Sequence, residues 1–155
     1  MKQTASKFSG AIMALSCMLV LATNSAHALD YVSVSDSTAI LYDANSTKAK
    51  KLFVVSRYTP LEKVVNLENW IKVRDSSGSL AWIERRAVSD KQYVAVTVAL
   101  ATVWKAPESN APVLYQVPRS TAMESLGING GGWIKVRDQE GAVGYMKSVE
   151  VWGTE

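Results

Sequence analysis

"NWIKVRDSSG" at residues 69–78 and "GWIKVRDQEG" at residues 132–141 decide how this chain is built. From Trp70 to Gly78 and from Trp133 to Gly141, seven of nine positions are identical. The match extends outward. "AILYDA" (Ala39–Ala44) aligns with "ATVWKA" (Ala101–Ala106), and "YVSV" (Tyr31–Val34) with "YVAV" (Tyr93–Val96), both at an offset of 62. "SRYTPLEKV" (Ser56–Val64) aligns with "PRSTAMESL" (Pro118–Leu126) at the same offset. One residue is inserted within "INGGG", and "LAWIERRAV" (Leu80–Val88) then aligns with "VGYMKSVEV" (Val143–Val151) at an offset of 63. The chain therefore holds two copies of one unit. Two copies fall short of the roughly three or more a solenoid needs, so each reads as a small domain. The junction lies near "SDKQ" (Ser89–Gln92), which sets the domains at 29–89 and 90–155. That junction is short and has no Gly or Pro, so the units are expected to pack together.

Within each unit the pattern is that of β structure. "YVAVTVAL" alternates valines with smaller residues, and "KLFVVS" is an apolar run of strand length. "WIKVRD" places Trp70, Lys72 and Arg74 on one strand face, and Ile71 and Val73 on the other. "DSSG" and "DQEG" carry turn chemistry: Asp bonds local amides and Gly takes positive φ. "LAWIE" and "AVGYMK" follow as the returning strands of two hairpins. No stretch after residue 28 has sustained helical periodicity with a cap, and short 3₁₀ turns are expected at "ERRAV" and "KSVEV". About five short strands per unit predict small barrels or packed sheets, which bury a limited core.

Residues 1–28 have the layout of a secretory signal peptide. Lys2 and Lys7 precede the apolar run "GAIMALSCMLVLA", and Ala26-His27-Ala28 is a small-x-small cleavage signal at Ala26 and Ala28. An uncleaved anchor is the alternative, although the run is short of the roughly 20 residues that span a bilayer. Lipidation at Cys17 is disfavoured, because Ala14 stands where Leu would be wanted and "MLVLA" continues the apolar run. Cleavage leaves 127 of the 155 residues, with fifteen Lys and Arg against fourteen Asp and Glu. That balance gives no reason to expect nucleic acid as a partner, and no later stretch could span a membrane.

The same cut removes Cys17 and His27, the only Cys and the only His. Disulfides, thiolate nucleophiles and Cys-ligated metals are then excluded, as is the usual neutral-pH general base. Cys–His and Ser–His–Asp catalysis fall with them. The remaining carboxylates include two recurring pairs. Asp75 and Asp138 occupy turns, and Glu62 and Glu124 are expected on the surface. "NGGG" (Asn129–Gly132) reads as a loop, not a phosphate cradle. The expectation is a protein with no catalytic residues, cofactor or metal.

The pattern W-x-K-V-x-D-x-x-G-x-x-[GA]-[WY]-[IVM] resembles the bacterial SH3 domain, the SH3b group of exported proteins. Trp70, Lys72, Val73, Asp75, Gly78, Ala81, Trp82 and Ile83 match it in the first unit. Trp133, Lys135, Val136, Asp138, Gly141, Gly144, Tyr145 and Met146 match it in the second. The wider sequence resembles tandem SH3-like proteins exported by Gram-negative bacteria. The resemblance implies an all-β chain of two tandem SH3-like five-stranded small barrels after a cleaved signal peptide. It also implies a periplasmic protein built of mostly non-catalytic modules, many of which target enzymes or sensors to peptidoglycan or other envelope components, with peptidoglycan or an envelope protein as the partner. "AILYDA" and Trp70 resemble parts of the eukaryotic SH3 peptide groove. Glu84 and Ala87 stand where that groove would have Pro and Tyr, and the second unit has Lys147 and Glu150, so polyproline recognition is not expected.

The candidate ligand-binding residues are Trp70, Lys72, Arg74 and Trp82 with their counterparts Trp133, Lys135, Arg137 and Tyr145. The cations beside Trp70 and Trp133 suggest solvent access, and an accessible Trp beside cations suits an anionic, partly apolar ligand such as a peptidoglycan stem peptide. The competing reading is a solvated face where Lys and Arg stems cover the rings. Two functions follow: recognition of peptidoglycan through these faces or nearby grooves, or a protein–protein adaptor or inhibitor acting through the inter-unit surface. Hydrolysis by an unrecognised carboxylate pair is a remote third.

Overall fold

The computed structural model of the chain describes residues 30–154. The expected signal segment, with its cleavage site at Ala26 and Ala28, lies outside the described residues. The first unit contains β1 (Tyr31–Val34), β2 (Thr38–Tyr42), β3 (Lys51–Ser56), β4 (Pro60–Asn66), β5 (Trp70–Arg74), β6 (Leu80–Glu84) and β7 (Val88–Ser89). The second contains β8 (Tyr93–Val96), β9 (Leu100–Trp104), β10 (Val113–Pro118), β11 (Ala122–Gly130), β12 (Trp133–Arg137), β13 (Val143–Lys147) and β14 (Val151–Trp152). The two sheets share one topology, β3-β2-β6-β5-β4-β1-β7 and β10-β9-β13-β12-β11-β8-β14, with all pairings antiparallel. One 3₁₀ turn precedes the last strand of each unit, at Arg85–Ala87 and Ser148–Glu150, where the sequence places them.

The chain is all-β and tandem, as read from the repeat. Each sheet has seven strands where five were expected. The alternating run "YVAVTVAL" accounts for part of the difference. It is broken after Val96, because Thr97 donates its backbone N–H to Glu150 O (2.9 Å) instead of continuing the ladder. The two-residue strands β7 and β14 supply the rest, and they are too short to leave a periodic signal.

The repeated phrase forms the β5–β6 and β12–β13 hairpins. Ile71 pairs with Ile83 and Val73 with Ala81, facing the core, while Lys72 pairs with Trp82 on the outer face. Period-2 alternation forces this division. Asp75 closes the first turn: its Oδ1 accepts from the N–H groups of Ser77 (2.8 Å) and Ser79 (3.0 Å). Asp138 does the same with Glu140 (3.0 Å) and Ala142 (2.8 Å). Gly78 and Gly141 complete the turns at φ 88° and 94°. "NGGG" departs from the expected loop. β11 runs through Gly130, and only Gly131 and Gly132 turn. The register shifts near Gly127 and Gly130 are bulges that glycine accommodates at positive φ.

Each sheet curls round its own core. In the first unit Leu41, Leu61, Ile71 and Ile83 are enclosed, and Leu52 and Val55 of β3 and Val88 of β7 pack on the same cluster. Both sheet edges therefore meet one core. Val94, Val103, Met123, Ile134 and Met146 form its counterpart. The units also pack on one another. The Tyr58 and Tyr93 rings stack at 4.3 Å, and Tyr31 meets Trp152 edge-on at 5.5 Å. Gln92 Nε2 donates to Tyr31 O (3.0 Å), and Tyr93 N to Ser33 Oγ (3.2 Å).

The small residue of the motif is required where β9 crosses β13. A Cβ on Gly144 would lie 2.4 Å from Val103 Cγ1 and 3.0 Å from Trp104 O. Gly→Ala within a strand usually stabilises, but Gly144→Ala is expected to destabilise by about 1–3 kcal/mol through overpacking. Urea unfolding followed by tryptophan fluorescence reads the sign directly.

Candidate functional site

A cleft of about 610 Å3 forms around Trp70 at the start of β5 in the first unit. Trp70 is half-buried, and its ring meets that of Tyr42 edge-on at 5.5 Å and 84°. Tyr42 is itself buried and lies opposite Trp82 in the sheet, so the Trp70 ring rests on a fixed partner. Three segments wall the cleft: Asn45–Thr47 after β2, Glu68 and Asn69 before β5, and Glu84–Arg86 after the hairpin. Arg85 holds two of these segments together. Its Nε donates to Glu68 O (2.9 Å), and its Nη2 donates to Leu67 O (2.8 Å) and to Asn66 Oδ1. Arg86 pairs with Glu84 through bonds of 2.8 and 3.2 Å, which largely cancels their charges. What remains is one aromatic face framed by amides, hydroxyls, the Arg85 guanidinium and the exposed Glu68. Such a cleft can stack on a flat or sugar-like group while its rim hydrogen-bonds.

The same place in the second unit is built differently. Trp133 is buried, 9 % exposed, and meets Trp104 edge-on at 6.3 Å. Solvent access at Trp133, expected from its neighbouring cations, is therefore corrected: Trp104 stands where the first unit has Tyr42, and the indole is enclosed. Gly131 and Gly132 replace Glu68 and Asn69, and Lys147, Ser148 and Val149 replace Glu84, Arg85 and Arg86. Pro107, Glu108 and Ser109 stand in place of Asn45, Ser46 and Thr47, so all three walls that frame Trp70 differ in composition there.

Lys72, Arg74 and Trp82 lie on the outer strand face and do not line the Trp70 cleft. Lys72 Nζ sits 5.9 Å from the centre of the Trp82 ring, and Lys135 Nζ sits 5.9 Å from that of Tyr145. The cation covers the ring in both units. Arg74 Nη1 binds both oxygens of Glu62, at 2.9 and 3.0 Å. Glu62, expected on the surface, is 7 % exposed, because β4 lies between β5 and β1. Glu124, its counterpart, is half-buried and pairs with Lys91 (3.2 Å) and Arg137 (3.6 Å). Of the eight candidate residues, the structure therefore brings Trp70 alone into this cleft. The cleft walls went unrecognised because they come from three distant segments. The available signal was divergence: "ERR" against "KSV", and "EN" against "GG", inside an otherwise repeated frame.

Residues 35–90 and 97–153 each match the family model of the bacterial SH3 domain. The chain belongs to the bacterial SH3 domain family. The resemblance read from the tryptophan motif is thus correct, and it holds for both units. Among solved structures, the chain is similar to NlpC2 from Trichomonas vaginalis, at 12% identity over 80% of this chain and 48% of that one, with a TM-score of 0.38. NlpC1 from Trichomonas vaginalis aligns at 14% identity over 84% and 48%, with a TM-score of 0.39. An NlpC/P60 family protein from Bacillus cereus ATCC 10987 aligns at 12% identity over 80% and 57%, with a TM-score of 0.36. The chain spans about half the length of these structures. No curated protein matches it.

The two bacterial SH3 domains also differ in how the hairpin turn is anchored. Tyr115 of the second domain donates its hydroxyl proton to Asp138 Oδ2 (2.8 Å), where the first domain has Phe53. Burial, then this bond, pushes the Tyr115 phenol up to about 12. Burial alone would raise Asp138. The Tyr115 hydroxyl and the N–H groups of Ala142, Glu140 and Gly141 outweigh it and hold the carboxyl below its usual range. A lowered folded-state value stabilises above the unfolded carboxylate pKa, and that contribution is lost as pH falls through the lowered one. Tyr115→Phe is expected to cost about 0.5–1.5 kcal/mol near neutral pH. The gap from wild type should narrow as acid protonates Asp138, which urea midpoints collected across an acid pH series will show.

Proposed function

We propose that this is an exported, non-enzymatic binding protein whose first bacterial SH3 domain recognises a cell-envelope component, peptidoglycan or its stem peptides, in the cleft around Trp70. The observation that carries this reading is the half-buried indole on the floor of a cleft walled by Asn45, Thr47 and Asn69. Aromatic faces flanked by amides and hydroxyls suit sugars and peptide groups, which present both apolar faces and hydrogen-bonding edges. Export rests on the amino-terminal signal pattern, and the periplasm of a Gram-negative cell on the resemblance to tandem SH3-like proteins exported by such bacteria. Among the described residues, no helix is long and apolar enough to cross a membrane.

The carboxylates support a binding role. Asp75 and Asp138 accept turn amides, and Glu62 is held by Arg74. All three are already engaged in the fold, and residues 29–155 carry neither Cys nor His. A second reading, a protein–protein adaptor, is favoured by one feature. The edge strand β3 exposes Phe53 (54 %) and Val54 (70 %), an apolar pair at a sheet margin.

Co-sedimentation with purified sacculi tests the proposal. Wild type should bind saturably. Trp70→Ala, shown to be folded by circular dichroism, should weaken binding about tenfold or more, equivalent to ~1.4 kcal/mol. Trp133→Phe should leave binding unchanged, because that indole is enclosed. Absence of wild-type binding, or equal loss in both variants, contradicts the assignment.

A further inference from the structure

A second cleft, of about 430 Å3, opens where the two domains meet, and both domains line it. It contains Arg57 from the first domain and Arg119 from the second, the same position of the repeat 62 residues apart. No Asp or Glu lines it. Neither arginine makes a salt bridge among the described residues. Both arginines thus border the cleft without a carboxylate partner, and an oxyanion bound there can accept directional, charge-assisted bonds from them.

The backbone around both arginines is preset. The next residues, Tyr58 and Ser120, sit in the left-handed region at φ 69° and 66°. Their amides are locked by matching bonds, Tyr58 N to Val34 O and Ser120 N to Val96 O, both 2.8 Å. Left-handed geometry is disfavoured for a non-glycine residue, and such strain persists where the surroundings over-determine it. Arg57 is further held by its Nε bond to Ser35 O (2.9 Å) and by the Tyr58 ring, whose centre lies 5.8 Å from the guanidinium carbon, and its terminal nitrogens have no hydrogen-bond partner among the described residues. The remaining lining fits a small ligand. Thr97 and Ser120 line it together with Val54, which is 70 % exposed, and the short side chain of Ala95; the Thr97 hydroxyl donates to Glu150 O (3.0 Å), so its oxygen remains available as an acceptor for a peptide N–H.

We propose that this inter-domain cleft is a carboxylate-binding site that takes the free carboxyl terminus of a short peptide with small apolar side chains. The arginines hold the terminal carboxylate, the hydroxyls bond the peptide amides, and the aliphatic surface accepts the small side chains. The site is separate from the Trp70 cleft and does not depend on that cleft's ligand.

The test is calorimetric titration of the full protein at low ionic strength with acetyl-Ala-Ala as the free acid, with its carboxyl-terminal amide, and with inorganic phosphate. The free acid should bind saturably, and the amide about tenfold or more weaker. Arg119→Gln is the clean variant, since its side chain makes no bond in the fold, and it should weaken acid binding about fivefold or more. Trp133→Phe, at an enclosed ring that lines neither cleft, should leave acid binding unchanged. Equal binding of acid and amide overturns the proposal, as does the absence of saturable acid binding. Phosphate binding as tight as the acid overturns the peptide assignment and leaves a bare anion site.

Discussion

Everything in this molecule depends on period-2 alternation along one short strand and its copy. In "WIKVR", Ile71 and Val73 must face inward for the first core to form, and Ile134 and Val136 must do so for the second. A shift of one residue would bury Lys72 and Arg74 and expose the core pair. The turn aspartates fix that register, because Asp75 and Asp138 can accept their turn amides only when the hairpins pair as they do. With the inner face set, the outer face follows. Trp70 lands at the strand's start beside the Arg85 staple, and Lys72 lands over Trp82.

Duplication then set one frame in two different surroundings. Both domains keep the hairpin, the turn aspartate and the lysine-covered ring. They differ in what surrounds the first tryptophan. Tyr42 supports Trp70 and leaves it half open, whereas Trp104 meets Trp133 and helps enclose it. The domains also contact each other through stacked tyrosines and through Gly153. A Cβ on Gly153 would lie 2.6 Å from Pro60 Cβ and 2.6 Å from Tyr93 O. This close approach places Arg57 and Arg119 on one cleft.

The fold was legible because the repeat displays it twice. The alternation in "WIKVR", the aspartate-glycine turns and the 3₁₀ sites could all be read directly. The break after Val96 could not, because it depends on a bond to Glu150, more than fifty residues away. The site was legible only in part. Trp70 stood out, but its walls come from three separated segments whose meeting is a product of topology. Burial of Trp133 and Glu62 was hidden for the same reason. A strand pattern says which face a side chain takes and not what lies over that face.

The central claim is that the two tryptophans of one repeated phrase have separate roles, Trp70 in recognition and Trp133 in packing. The most direct measurement is the indole N–H resonances of the ¹⁵N-labelled protein, assigned by substitution and followed during titration with soluble peptidoglycan fragments. The account predicts a saturable shift at Trp70 and a stationary Trp133. Movement of Trp133 with Trp70 stationary, or no movement at either, would contradict it.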